Sequence, residues 1–206
     1  MTRKSIYIVR HGETEFNRKG IVQGSQVDAP LNEKGRAQAK LFYESYSDIK
    51  PDIIFTSDLQ RTKESVQSFI ESGVKWEQFS GLNEISWGSD DGKIMNDDPL
   101  YLGVIKRWAQ GEVDLRAGDG ESPQDVFDRQ TKFIKDQLEN SSESNILICM
   151  HGRAMRIFFC QLLKRPLLEM DTFPHANLCL YEFAYENGEF NLVKRNDIKH
   201  LTSLNL

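Results

Sequence analysis

Two apolar runs far apart in the chain end in the same dipeptide, and this repetition narrows the folds open to the sequence. Ile6-Tyr7-Ile8-Val9 runs into Arg10-His11-Gly12, and Asn145-Ile146-Leu147-Ile148-Cys149-Met150 runs into His151-Gly152-Arg153. Each run has the length and unbroken apolar character of a buried strand. The glycine after each histidine lets the chain turn sharply and approach a ligand. Ligands of open α/β sheets bind outside the carboxyl ends of the strands, so the shared ending predicts two imidazoles at one edge of one sheet. Arg10 sets beside the first of them a guanidinium suited to bidentate contact with phosphate. A lone Arg-His-Gly would read as a polar turn with a solvated histidine; its recurrence argues for a site.

The rest of the chain alternates between strand and helix signals. A Gly- and Pro-punctuated loop over 18–30 leads to a helix from about Arg36 to Tyr46, with Asn32 as its cap. Ile53-Ile54-Phe55-Thr56 is the next buried strand, and its end, Ser57-Asp58-Leu59-Gln60-Arg61-Thr62, opens a helix to about Ser72, capped by Ser57 or Asp58. Arg61 then lies in a first turn, where positive charge opposes the helix dipole unless an anion is present, so it is a candidate phosphate contact. Val74 to Phe79 reads as a short strand. Glu84 stands between Leu82 and Ile85, which suits a partly buried general acid or, equally, a cap or ion-pair partner. The Asp- and Gly-rich stretch over 86–120, with a helix expected from Asp97 to Gln110, interrupts the alternation and reads as a lid-like insertion over the strand ends. Ser122-Pro123 starts a long helix to about Glu139. A further apolar helix runs from Arg153 to Leu163. Ala176 to Phe183 and Glu189 to Val193 form a hairpin through Glu186-Asn187-Gly188.

Composition excludes several classes. The chain has 206 residues, 39% hydrophobic and 28% charged, which suits one domain with a substantial core. A formal net charge of -5 gives no basic excess for nucleic-acid backbones. Cys149, Cys160 and Cys179 sit singly in apolar stretches, as buried thiols of a reducing compartment rather than a disulfide or metal framework. Neither a signal peptide nor a membrane span is legible, so a cytoplasmic location is expected. No Cys/His ligand cluster and no glycine-rich nucleotide loop is present, and no metal or cofactor is expected.

Taken together the blocks resemble the histidine phosphatase superfamily, the branch that holds cofactor-dependent phosphoglycerate mutase and its phosphatase relatives. Arg10-His11-Gly12-Glu13-Thr14 with Asn17 is similar to the family's opening signature, and Gln23-Gly24 with Asp28-Ala29-Pro30-Leu31-Asn32 and Gly35 to the segment after it. Ser57 to Thr62, Leu82-Asn83-Glu84 and His151-Gly152 with Arg156 match the later blocks, and Asn196-Asp197 with His200-Leu201 the closing one. The resemblance covers nearly the whole chain. It implies a three-layer α/β sandwich, with a mostly parallel central sheet flanked by helices and one domain over 1–206. It also implies His11 as nucleophile, Arg10, Arg61 and His151 around the phosphoryl oxygens, and Glu84 as general acid and base. Asn17, Gln23, Gly24, Gly152 and Asn177 would line the substrate site. The sequence departs from the family pattern at Phe16, where tryptophan is usual, and at Arg153, where many relatives carry a small residue. His175 is expected to be exposed.

Three activities fit such a site: hydrolysis of small phosphomonoesters, phosphoryl exchange between hydroxyls of phosphoglycerate, and phospho-ligand binding without chemistry. Mutases of the family are longer and carry an Arg- and Tyr-containing segment after the third block. Here that place reads Ile85-Ser86-Trp87-Gly88-Ser89-Asp90-Asp91-Gly92. Hydrolysis is the expectation, with a small phosphorylated substrate, inorganic phosphate as product, and a monomer or homodimer.

Overall fold

In the computed structural model, which describes residues 3–94 and 99–204, six strands form one sheet. They are β1 (Lys4–Arg10), β2 (Ile53–Thr56), β3 (Lys75–Gln78), β4 (Asn145–Met150), β5 (Leu180–Glu186) and β6 (Glu189–Asp197), in the order β3-β2-β4-β1-β5-β6. The first four strands in that order run parallel, and β5 and β6 add an antiparallel edge. The helices are α1 (Glu15–Arg18), α2 (Glu33–Tyr46), α3 (Gln60–Ser65), α4 (Gln67–Glu71), α5 (Pro99–Ala109), α6 (Pro123–Phe133) and α7 (Gly152–Leu162).

The unbroken apolar runs follow from helices covering both faces of the sheet. Side chains alternate along a strand, and here both directions lead into core. Ile6, Ile8, Ile146, Ile148 and Met150 pack with Val126 and Phe133 of α6 and with Ile157 and Phe158 of α7. On the other face Val9, Leu147 and Cys149 join Phe42 of α2 and Phe69 of α4. This is the three-layer sandwich that the family resemblance implied. His200, part of the closing block, packs between the rings of Phe42 and Tyr46 at 5.5 and 5.2 Å, so it anchors the C-terminal segment to α2. All three cysteines are buried and free. Among the described residues no helix is long and apolar enough to cross a membrane.

Local structure differs from the sequence expectations at several points. Asn32 caps α2 by accepting Gly35 N–H at 2.8 Å, so the helix begins at Glu33, ahead of Arg36. The helix expected from Ser57 or Asp58 to Ser72 starts at Gln60 without a side-chain cap and breaks at Val66. Ser65 explains the break: its hydroxyl donates back to Arg61 O at 2.6 Å and accepts Gly12 N–H at 2.8 Å, an arrangement that bends helices. Pro123 starts α6 behind a Ser122–Asp125 capping box, and past Phe133 the helix widens to a π-helix over Ile134–Glu139. Helix α5 ends at Ala109, and the expected start at Asp97 lies outside the described residues. Strand β5 begins at Leu180 rather than Ala176, because Leu178 takes a left-handed φ of 53° to donate its N–H to Arg10 O. The hairpin turn matches its dipeptide, with Asn187 and Gly188 both at positive φ.

Candidate active site

Strand register brings the two histidines together. Arg10 pairs with Met150 and Thr56 with Cys149, so His11, His151 and Ser57 all leave the sheet at the same carboxyl edge. The His11 and His151 rings lie 5.2 Å apart, and His11 N–H donates to Met150 O at 3.0 Å. Gly12 is not at positive φ; it is needed because a Cβ there would sit 2.8 Å from Gly35 O, so the requirement is close approach of two backbones.

The hydrogen-bond partners fix both tautomers. His11 Nδ1 lies 2.7 Å from Gly12 O, and a carbonyl only accepts, so Nδ1 carries the proton and Nε2 keeps the lone pair. Burial first, then Arg61 and Arg10, hold this imidazole well below its ordinary value of 6.5, so it is neutral at physiological pH. His151 Nδ1 accepts Arg61 Nε–H at 3.2 Å, and its Nε2 donates to Ser57 Oγ at 2.7 Å. Ser57 Oγ continues to Thr62 Oγ1 at 3.0 Å, which donates to Leu59 O at 2.8 Å. His151 is likewise held neutral, by burial and then by Arg61.

The guanidiniums divide into two groups. Arg10 lines the cavity, donates Nη1–H to His175 O at 2.7 Å and has at Nε no partner among the described residues. Arg61 is fully buried and off the cavity wall; Nη1 and Nη2 donate to Val27 O at 2.5 Å and Gly24 O at 3.3 Å. Burial lowers its pKa to about 10, so it remains a cation. Gly24 therefore serves Arg61 rather than facing the cavity. Its own N–H donates to Asp91 Oδ1 at 2.5 Å, and a Cβ there would collide with that carboxylate.

Glu84 is buried, as its apolar neighbours suggested, and of the alternatives left open for it the cap is the one its hydrogen bonds display. It lines the cavity with His11. It also holds the first turn of α7, where Oε2 accepts Arg153 N–H at 3.0 Å and Oε1 accepts Ala154 N–H at 2.8 Å; Ile85 N–H adds a third bond at 3.0 Å. Arg129 braces the loop by donating to Gly81 O, Asn83 O and Glu84 O, with Glu121 as its counterion.

The cavity, about 240 Å³, has a mixed rim. Asn17, Gln23 and Gly152 line it. Asn177 stands behind, donating to His11 O at 3.0 Å and Asn17 Oδ1 at 3.3 Å. Trp87 and Tyr101 bring aromatic surface from the 86–120 stretch, and their rings are 4.9 Å apart. Outside the 86–120 stretch, the lining residues Gly20, Ile21, Val22 and Arg156 were given no site role in the sequence, the last matched only as part of the second His-Gly block. The i, i+3 spacing of Arg153 and Arg156 on a helix was a signal for the last. His175 is not exposed: it lines the cavity, its ring lies 3.0 Å from where a Gly152 Cβ would be, and burial followed by Arg156 pushes it down to about 3. Among the described residues no three His, Cys, Asp or Glu side chains converge as a metal cluster.

Burial of these imidazoles has a consequence for stability. All four histidines are pushed below 6.5, chiefly by desolvation. The unfolded chain therefore binds protons below that value that the native state does not, and stability, full above it, declines as pH falls through it. Carboxylates titrate near 4, so the urea midpoint should already drop between about pH 6.5 and 5, before they contribute. A midpoint flat over that window would contradict the buried, neutral state of the rings.

A mostly parallel α/β sheet whose strand ends pair two histidines, with His11 on the wall of an arginine-lined cavity and His151 buried behind it, is the architecture of an enzyme acting on phosphoryl groups. The chain belongs to the histidine phosphatase superfamily (branch 1), whose family model matches residues 6–198. Phosphoserine phosphatase 1 of Hydrogenobacter thermophilus is 26% identical over 198 residues, spanning 95% of this chain and 93% of that protein. A phosphoglycerate mutase-like protein of Serratia proteamaculans is 31% identical over 163 residues, 78% of this chain and 75% of its own. Among solved structures, a phosphoserine phosphatase variant from Entamoeba histolytica in complex with phosphoserine superimposes with a TM-score of 0.82 at 25% identity, covering 96% of this chain and 99% of that one.

Proposed function

We propose that this histidine phosphatase hydrolyses small phosphomonoesters through a phosphohistidine on His11, without a metal ion. The observation that carries the reading is the bond between His11 Nδ1 and Gly12 O, because it leaves a neutral Nε2 lone pair in an arginine-lined cavity. Nε2 attacks phosphorus, the ester P–O bond breaks, and the Glu84 carboxyl gives a proton to the departing alkoxide. The carboxylate then takes a proton from water as the water oxygen attacks the phosphohistidine. The P–N bond returns its electron pair to Nε2 and inorganic phosphate leaves. Arg10 and Arg61 supply the fixed positive charge that metal ions supply in kinases. His151, held between Arg61 and Ser57, positions that charge against His11.

Hydrolysis is favoured over mutase chemistry by the segment after Glu84. It is acidic, and its Asp91 carboxylate is committed to Gly24 N–H and Gln26 N–H. Relatives named phosphoserine phosphatase make small phosphorylated acids the first substrates to try. The test is phosphate release from a panel of phosphomonoesters in EDTA, with isomerisation of 3-phosphoglycerate, primed by 2,3-bisphosphoglycerate, followed in the same tubes. Release that EDTA does not touch is the expected result. Fast isomerisation with little release would make the protein a mutase, silence in both assays would move the weight to a narrow substrate outside the panel or to a binder, and release restored only by added metal would overturn the metal-free mechanism.

A further inference from the structure

One end of the cavity carries more positive charge than a single phosphoryl group needs. Arg153 and Arg156, the second and fifth residues of α7, both line the wall and both bond to one carboxylate oxygen, Asp171 Oδ1; the Arg153 bond is 2.5 Å. Two cations thus share one anionic atom. Arg153 is 7% exposed, and its Nε is buried with no partner among the described residues. A buried guanidinium N–H without an acceptor is costly, and positive charge in the first turns of a helix opposes its dipole. Among the described lining residues the only carboxylate is Glu84, whose oxygens are engaged by three backbone N–H groups. His175 is neutral, so it offers no counter-charge. Burial, then the charge of Arg153, lowers Arg156 to about 10, against the opposing pull of Asp171.

The position of this pair relative to the phosphoryl end is also set. Arg156 Nε donates to Gly152 O at 3.1 Å, and a Cβ on Gly152 would lie 3.4 Å from Arg10 Nε, so Arg10, Gly152 and the pair form one continuous wall. Trp108, from the 86–120 stretch, holds the Arg153 guanidinium from the other side, 5.5 Å from its ring.

We propose that Arg153, with Arg156, forms a second-anion subsite, and that the preferred substrates are phosphomonoesters carrying a further anionic group, a carboxylate or a second phosphate, a few bonds from the scissile one. The inference rests on the phosphohydrolase reading above. Arg153 selects among substrates, and Asp171 sets how much of its charge is left for them.

The test compares matched esters. 3-Phosphoglycerate against glycerol 3-phosphate differs only by carboxylate for hydroxymethyl, and fructose 1,6-bisphosphate against fructose 6-phosphate by a second phosphate. The wild-type protein should prefer the doubly anionic member of at least one pair by about 30-fold or more in kcat/KM, the worth of one or two charge-assisted hydrogen bonds. Which pair shows the preference names the source of the anion. Arg153→Met should collapse that ratio, Arg153→Lys should recover part of it, and Asp171→Asn should raise it. Damage to the fold alone would lower both members together and leave the ratio intact. Should Arg153→Met fail to fold, Asp171→Asn decides, since an unchanged or reduced ratio there overturns the proposal. Calorimetric binding of the same pairs to the His11→Ala protein separates the two readings. Preferential binding of the doubly anionic ester without wild-type turnover would sink the hydrolase and keep the subsite, whereas turnover of both members without preference would do the reverse.

Discussion

The His11→Ala protein is expected to keep its fold and to release phosphate at least about 10⁴-fold more slowly than the parent. The size follows from the role: without Nε2 there is no covalent intermediate, and what remains is only the binding and charge stabilisation of Arg10 and Arg61. The fold should survive because the ring is a wall of the cavity rather than of the core, with one hydrogen bond to the adjacent Gly12 O and one ring contact to His151. Loss of such a bond costs about 1 kcal/mol, visible as a small shift of the melting temperature. Two measurements check the claim, steady-state phosphate release and acid-labile, alkali-stable label trapped from a radiolabelled ester in the parent. Label that persists in the variant, or residual turnover within about tenfold of the parent, would remove His11 from the role.

The site was legible in the sequence to the extent that it depends on strand ends. Runs such as Asn145 to Met150 are apolar on both faces because helices cover both faces, and the shared His-Gly ending placed His11 beside His151 once the strands were neighbours. Partners supplied by distant segments were not legible. Arg61 read as a phosphate contact because a cation in a first turn wants an anion, yet its Nη groups bind the carbonyls of Val27 and Gly24, which no local pattern announces. His175 read as exposed, while the tertiary fold packs it against Gly152. The break at Val66 depends on a hydroxyl, Ser65, claimed from the other side by the backbone of Gly12. In each case the missing term is a contact across the fold, and single-chain patterns record periodicity rather than such contacts.

Glu84→Gln tests the second half of the mechanism, and its result should depend on the leaving group. Alkyl esters such as glycerol 3-phosphate leave as strongly basic alkoxides and need the proton, so their kcat/KM should fall by roughly 10²–10⁴-fold, the usual contribution of a general acid. p-Nitrophenolate leaves without help, and its ester should lose far less until hydrolysis of the phosphohistidine, which also needs Glu84, becomes limiting. Pre-steady-state kinetics should therefore show a burst of nitrophenol in the variant, followed by slow turnover. The substitution also has a structural cost that a simple acid–base change would not. The Glu84 carboxylate accepts three backbone N–H groups, whereas an amide presents one oxygen and two N–H donors. With the oxygen kept toward Ile85 and Ala154, the NH₂ group meets Arg153 N–H donor to donor, costing roughly 1–3 kcal/mol. The melting temperature should drop, and Arg153, whose backbone is tied to this carboxylate, should lose part of its alignment. Glu84→Asp is the useful control, because it keeps the acid and shortens its reach. If Glu84 only capped α7, both substitutions would lower stability and slow both esters alike, and no burst would appear; a burst confined to Glu84→Gln, with the loss graded by leaving group, requires proton transfer.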